Sequence, residues 1–184
     1  DWVLDRACAQ LRAWHEAGHT EWSMAVNLSP LQFASPALLD SVRSVLERHR
    51  IDPARLTLEI TETTAMKDVE ASLAILNDLT AMGVHIAIDD FGTGYSSLLY
   101  LKRMPATELK IDRAFVHDLE RNDEDSAIVS SIIALGRTLQ LQVVAEGVET
   151  QAQRDYLSEL GCDQLQGYHL GRPMEAEEFL RKVG

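Results

Sequence analysis

The chain has 184 residues, 46% of them hydrophobic and 25% charged, a composition that argues against disorder and predicts one globular domain with a sizeable core. Its 17 basic and 29 acidic residues give a formal net charge of -12, which makes DNA or RNA polymers poor partners. The sequence shows neither a membrane-spanning apolar stretch nor a signal peptide. We therefore expect a cytoplasmic protein, or the cytoplasmic part of a membrane-anchored one.

Helical and strand-like patterns alternate along the chain. The first helical pattern contains Leu4, Cys8 and Leu11 and begins without a preceding cap, as in a chain cut inside a domain. Strands are predicted at 24–28, 56–60, 84–88, 108–111, 142–145 and 162–166, and further helices at 36–50, 66–82, 98–103, 125–139, 151–160 and 175–183. Such alternation predicts an α/β fold with a parallel sheet wrapped by helices.

The segment 89–97 follows the third predicted strand and reads DDFGTGYSS. Two readings of it are open. Asp89 and Asp90 can hold a metal ion at the end of a buried strand, or the segment can be an Asp-Gly turn in which Ser96 or Ser97 caps a helix that begins near Leu98. The segment alone does not decide between these readings.

Polar residues recur at the ends of the predicted strands. They are Asn27, Glu59, Asp89, Lys110, Glu146 and Gln166. In a (β/α) barrel the carboxyl ends of the strands meet at one mouth, so we expect these groups to share a cavity. Each one alone is equally well explained as a hydrogen-bonded polar residue at a strand terminus. Clustered carboxylates require cations, and oxygen ligands favour Mg²⁺, Mn²⁺ or Ca²⁺ over zinc.

Such a cavity suits phosphodiester hydrolysis. Two cations that clamp a phosphodiester can activate water on one side and stabilise the leaving oxygen on the other. Lys110 also suggests a Schiff base, but an ammonium among carboxylates stays charged and is therefore a poor nucleophile. Orientation of water or phosphate is the better role for Lys110.

Six ordered motifs resemble those of the EAL-domain phosphodiesterases and span nearly the whole chain. The motifs are Asn27-Leu28-Ser29, Glu59-Ile60-Thr61-Glu62, the segment 89–97, Lys110-Ile111-Asp112, Ala145-Glu146-Gly147-Val148-Glu149 and Gln166-Gly167-Tyr168. The resemblance implies a modified TIM barrel that hydrolyses cyclic di-GMP to linear pGpG with Mg²⁺ or Mn²⁺. Two ions are expected, with Ca²⁺ as an inhibitor.

The same resemblance implies roles for individual residues. The metal-site positions are Asn27, Glu59, Asp89, Asp90 and Glu146. Lys110, Glu146 and Asp90 are the expected catalytic residues, and Lys110 holds the attacking water. Gln166 lies beside the site, while Glu62 and Glu149 support it, Glu62 by pinning the 90–97 loop; the alternative for these two glutamates is helix capping or surface charge. Arg113 is a candidate phosphate contact. The loop and helix 90–103 resemble the family's dimer surface.

One departure from the family pattern is the absence of the Glu-Ala-Leu tripeptide, whose glutamate is another metal ligand. Barrels of this class have eight strands in about 250 residues, and six βα-type strands are recognisable here. We therefore expect residues 1–184 to be an EAL domain that lacks its first strands at the N-terminus and is fused to sensory or cyclase domains. Two alternatives remain: a cyclic di-GMP receptor without catalysis, and a dimerising regulatory scaffold.

Overall fold

Six parallel strands form a curled partial barrel in the computed structural model, which describes residues 2–94, 98–119 and 122–183. The strands lie side by side in chain order. Their bounds are β1 Met24–Asn27, β2 Leu56–Thr61, β3 His85–Phe91, β4 Glu108–Ile111, β5 Gln142–Ala145 and β6 Gln164–Leu165. Within the described residues β1 pairs only with β2, and β6 only with β5, so both edges of the sheet are open.

One helix precedes the first strand, and the other helices follow the strands. They are α1 Trp2–Glu16, α2 Pro30–Phe33, α3 Leu38–His49, α4 Glu62–Lys67, α5 Val69–Ala81, α6 Leu98–Leu101, α7 Arg113–His117, α8 Asp123–Leu139, α9 Gln151–Glu159 and α10 Ala176–Val183. Each described helix is too short or too polar to cross a lipid bilayer.

The core lies between the sheet and these helices. Leu58 pairs with Ile86 across β2 and β3, and Leu109 pairs with Val143 across β4 and β5. All four side chains are buried, and full burial of an aliphatic side chain stabilises a fold by roughly 1.5–3 kcal/mol. Since neighbouring residues of a strand point to opposite faces, polar residues next to these positions face the inside of the barrel.

The predicted parallel sheet of six strands is confirmed, but several element bounds differ. The helix predicted at 66–82 consists of α4 and α5, which are separated at Asp68; its side chain accepts a hydrogen bond from the Ala71 N–H and so caps α5. The short helices α2 and α7 were not predicted, because four or five residues are too few to show a helical period. Ser29 and Asp112 cap these two helices.

The third strand is longer than the predicted 84–88 and runs through Asp89 and Asp90 to Phe91. Its register against β4 shifts between Ile88 and Phe91, and Asp90 has a φ of 54°. This bulge re-aims the Asp90 side chain, a common use of bulges next to functional sites. The predicted capping of a helix by Ser96 or Ser97 lies outside the described residues.

Candidate metal and catalytic site

Lys110 lies at the centre of a cluster of acidic side chains inside the barrel. Its Nζ is 2.8 Å from Glu59 Oε1, 2.7 Å from Glu146 Oε1 and 3.3 Å from Asp89 Oδ1. The lysine side chain is only 4% exposed. Glu59 comes from β2, Asp89 from β3 and Lys110 from β4, while Glu146 directly follows β5. Neighbouring parallel strands therefore bring these four residues together.

The electrostatics of the cluster keep Lys110 charged. Burial acts to lower the pKa of Lys110, but its hydrogen bonds and ion pairs with Glu146 and Glu59 outweigh burial, and the net shift is upward. An ammonium with a raised pKa can donate hydrogen bonds to water or phosphate, but it cannot act as an amine nucleophile. This environment agrees with the orienting role expected for Lys110 and speaks against a Schiff base.

Two carboxyl groups of the site have raised pKa values. Burial, a hydrogen bond with Asp112 and the negative charge of Asp89 raise the pKa of Asp90 to about 6. Burial also raises the pKa of Glu146, although Lys110 opposes the shift. Crowding of acidic groups thus favours the protonated forms, and a bound cation would reverse this preference.

Asp112 belongs to this site although we did not predict it as a site residue. It follows β4 two positions after Lys110, and its side chain is hydrogen-bonded with that of Asp90. It also caps α7 by accepting a hydrogen bond from the Ala114 N–H at 2.7 Å. The spacing of two from Lys110 places both residues on one face, and this spacing is the signal in the sequence from which Asp112 could have been predicted.

The oxygen atoms in the cluster suit hard cations. One carboxylate oxygen from each of Asp89, Asp90 and Glu146 lies within 4.8 Å of the others. Such a set of oxygens fits Mg²⁺, Mn²⁺ or Ca²⁺, whereas zinc prefers nitrogen and sulfur. Since Glu59 and Asp112 add further carboxylates nearby, the charge of Lys110 alone does not balance the cluster. The donor chemistry therefore fits a divalent-cation site.

Glu62 lies beneath the turn that follows β3. It is the first residue of α4, it is 1% exposed, and its Oε2 accepts a hydrogen bond from the Gly92 N–H at 2.8 Å. Among the described residues its Oε1 has no hydrogen-bond partner, and a Cβ at Gly94 would lie 2.7 Å from this oxygen. Thr61, not Glu62, accepts the capping hydrogen bond of α4. Glu62 therefore contacts the loop rather than solvent.

The remaining predicted residues lie at the rim of the site. Asn27 ends β1 opposite Glu59 in the strand register, and its side chain is exposed. Gln166 is exposed just after β6, beside an open cleft of about 850 Å³ that Trp22 and Tyr168 also line. Arg113 and Glu149 line a smaller cleft of about 260 Å³. The structure thus brings Glu59, Asp89, Asp90, Lys110 and Glu146 together and leaves the other four residues around them.

Comparisons with known proteins show what this chain is similar to. The family model of the EAL domain matches residues 1–173. The bifunctional diguanylate cyclase/cyclic di-GMP phosphodiesterase MucR of Pseudomonas aeruginosa is 62% identical over 183 residues, which are all of this chain and 27% of MucR. The cyclic di-GMP phosphodiesterase NbdA of the same organism is 45% identical over 98% of this chain and 24% of NbdA.

A solved structure shares the fold described above. The structure described as a PaMucR phosphodiesterase complex with c-di-GMP superimposes with a TM-score of 0.95 at 63% identity, covering 97% of this chain and 72% of that chain. The chain spans about a quarter of the length of the two curated relatives.

Proposed function

Because this chain belongs to the EAL-domain family, we propose that it forms most of a domain that hydrolyses cyclic di-GMP to linear pGpG with Mg²⁺ or Mn²⁺. The observation that carries this proposal is the contact of Lys110 with Glu59, Asp89 and Glu146 beside the carboxylate of Asp90. The two phosphodiesterases named above are consistent with this substrate.

The residues divide into ligands and orienting groups. We assign Asn27, Glu59, Asp89, Asp90 and Glu146 to two divalent cations. The bound cations would supply polarisation of the phosphodiester and a lowered pKa of the attacking water. Lys110 holds that water through its charged Nζ. Asp90 and Glu146 are the other two catalytic residues in this proposal. Ca²⁺ is expected to inhibit, because it accepts looser coordination geometries at longer distances than Mg²⁺.

The rim residues have supporting roles in this proposal. Glu62 holds the turn after β3 through Gly92 and so keeps Asp90 in place. Gln166 and Glu149 border the nucleotide, and Arg113 contacts a phosphate of the substrate from the cleft that it shares with Glu149.

The test is turnover of cyclic di-GMP by the full-length protein with Mg²⁺ or Mn²⁺. Chromatography measures the rate at which pGpG forms. We expect Lys110→Met to lower kcat by roughly 10²–10³-fold, the range for loss of one preorganised hydrogen-bond donor at a reacting centre. Lys67→Met is the matched control, because Lys67 is exposed at the end of α4. Absence of turnover at every metal concentration would refute the proposal, and nucleotide binding that ignores EDTA would favour the receptor alternative.

We also propose a homodimer through the loop and helix 90–103. Leu98 and Leu99 on α6 are 59% and 66% exposed, and Leu98 borders an apolar cleft of about 630 Å³ against α8. Exposed apolar patches of this kind are typical of interaction surfaces. Leu99→Glu should shift the full-length protein from dimer to monomer in light scattering, whereas Leu31→Glu, at an 87% exposed position on α2, should not. A dimer that survives Leu99→Glu would contradict this surface.

The domain itself extends beyond this chain in our proposal. The open edges at β1 and β6 and the 72% coverage of the PaMucR chain support an EAL domain completed by further strands. By analogy with longer relatives, we propose that this domain is fused to sensory or cyclase domains. We further propose that it acts in the cytoplasm and that its ligand is cyclic di-GMP rather than a nucleic-acid polymer.

A further inference from the structure

Gln153 is a buried polar side chain in the first turn of α9, and its side-chain amide makes hydrogen bonds in two directions. It is 3% exposed. Its Oε1 accepts hydrogen bonds from the N–H groups of Glu149 at 2.7 Å and Thr150 at 3.0 Å. Its Nε2 donates to the carbonyl oxygen of His117, the last residue of α7, at 3.1 Å. The amide therefore uses both its donor and its acceptor without access to water.

These contacts go beyond the capping of a helix. A capping box needs only the reciprocal bonds between Gln153 and Thr150, which are present. Gln32 forms the same box with Ser29 at the start of α2, and the hydrogen bonds described for Gln32 stay within its own turn. The bonds of Gln153 to Glu149 and His117 instead connect α9 to the preceding loop and to another helix.

The two segments that Gln153 joins both carry site residues. The 146–150 loop begins with Glu146, and α7 begins directly after Asp112. The loop is also tightly packed: a Cβ at Gly147 would lie 2.6 Å from Arg113 Cβ, and the Val148 N–H donates to the Gln166 carbonyl. A change at Gln153 would therefore reach Glu146 through a short, closely packed segment.

We infer that Gln153 is a positioning residue that holds α7 and the loop after β5 together, so that Glu146 keeps its place beside Lys110, Asp89 and Asp90. The inference rests on the proposed function only in assigning those carboxylates to a metal site. Direct hydrogen-bonded partners of metal ligands commonly contribute 10–100-fold to metal affinity. Gln153 acts on Glu146 through the intervening 147–150 segment, so we expect its contribution at or below the lower end of that range.

The test uses the full-length protein with Gln153→Met and Gln153→Glu. The methionine keeps the length of the side chain and removes every hydrogen bond. The glutamate keeps acceptors for Glu149 and Thr150 but removes the donor to His117. Mn²⁺ affinity, measured by calorimetry, should fall by up to about tenfold in Gln153→Met, and less in Gln153→Glu. Hydrogen exchange across 146–150 should rise in Gln153→Met.

Gln151→Met is the matched control, because Gln151 lies on the same turn but is exposed and bonds Asp155 and His169 instead. Unchanged Mn²⁺ affinity and unchanged exchange across 146–150 in folded Gln153→Met would overturn the inference and leave a capping role alone. If Gln153→Met does not fold, Gln153→Glu tests the bond to His117 alone, and unchanged Mn²⁺ affinity and exchange in that variant would also overturn the inference. A wild-type protein that binds Mn²⁺ without hydrolysing cyclic di-GMP would refute the proposed function, while the affinity and exchange data would still decide the role of Gln153.

Discussion

At the scale of single residues, the site depends on one buried cation among acidic side chains. Lys110 contacts Glu59, Asp89 and Glu146 at 2.7–3.3 Å. A buried charge costs several kcal/mol unless it is paired. In the metal-free protein the ammonium of Lys110 and the surrounding carboxylates therefore stabilise each other. This mutual dependence leads to two predictions.

Replacement of Lys110 by methionine should destabilise the metal-free protein. The change leaves buried carboxylates without their counter-charge, and loss of one partner of a buried pair costs about 3–5 kcal/mol. Mg²⁺ or Mn²⁺ should restore much of this loss, because a divalent cation supplies the missing positive charge. Urea denaturation of wild type, Lys110→Met and the control Lys67→Met, each with EDTA and with Mn²⁺, measures the effect. An equal loss with and without metal would contradict it.

Replacement of Asp90 by asparagine should stabilise the metal-free protein above pH 6. The folded-state pKa of Asp90 is raised from 3.8 to about 6, so its contribution to stability is fully present below pH 4 and is lost as the pH rises through 6. Asparagine does not titrate. Because Asp90 is partly exposed, we expect a gain of at most about 1 kcal/mol, or roughly 2–4 °C in Tm.

The Asp90→Asn comparison requires Tm values in EDTA from pH 4 to pH 8. The Tm difference between the variant and the wild type should be near zero at pH 4 and should grow with pH. If the wild-type protein instead becomes more stable than the variant as the pH rises from 4 to 8, the predicted direction of the stability change is wrong.

At the scale of elements, the strands β2, β4 and β5 are each followed by a helix that a residue near the strand end caps. Thr61 caps α4 after β2, Asp112 caps α7 after β4, and Thr150 caps α9 shortly after β5. Capping side chains set where a helix begins, so they also determine where Glu62 and Asp112 stand relative to the site. The turn after β3 has a different support, the buried carboxylate of Glu62.

Replacement of Gly94 by alanine should disturb this support. The added Cβ would lie 2.7 Å from Glu62 Oε1, which is too close, so either the carboxylate or the 92–94 turn must shift. We expect Mn²⁺ affinity and kcat to fall about tenfold, as for other lost supports of metal ligands. Gly171→Ala is the control, because a Cβ there would meet its nearest neighbours at 3.8 Å. Wild-type Mn²⁺ affinity in Gly94→Ala would count against a supporting role of Glu62.

At the scale of the whole molecule, the sheet has two open edges, and the net charge of -12 acts against self-association. Unpaired strand edges present backbone groups that can pair with another chain. The long-range charge repulsion is screened by salt, whereas edge pairing depends on hydrogen bonds. Edge exposure should therefore dominate at moderate ionic strength.

Residues 1–184 expressed alone should thus self-associate in a way that increases with protein concentration and with salt. Light scattering coupled to size-exclusion chromatography measures this, with the full-length natural protein as the comparison. We expect the full-length protein to show one defined oligomeric state, because further strands would cover the edges. A monomer of residues 1–184 at all concentrations would contradict the expectation.

The sequence predicted those features of the fold that depend on patterns among residues close together in the chain. Alternating apolar patterns are set by residues close together in the chain, and they predicted all six strands. Polar residues at strand ends pointed to the acidic cluster for the same reason, since a parallel sheet brings its carboxyl ends together. Short helices such as α7 were missed because they are shorter than the pattern that would reveal them.

The sequence by itself determined the fold class, the family and the positions of Glu59, Asp89, Lys110 and Glu146, because strand periodicity and motif spacing are properties of neighbouring residues. Only the tertiary structure decided that Asp112 meets Asp90 and that Gln153 reaches His117, which is 36 positions away. These contacts depend on the strand bulge, the helix caps and the packing of segments that are far apart in the sequence. Patterns among neighbouring residues do not reveal which distant segments meet in space.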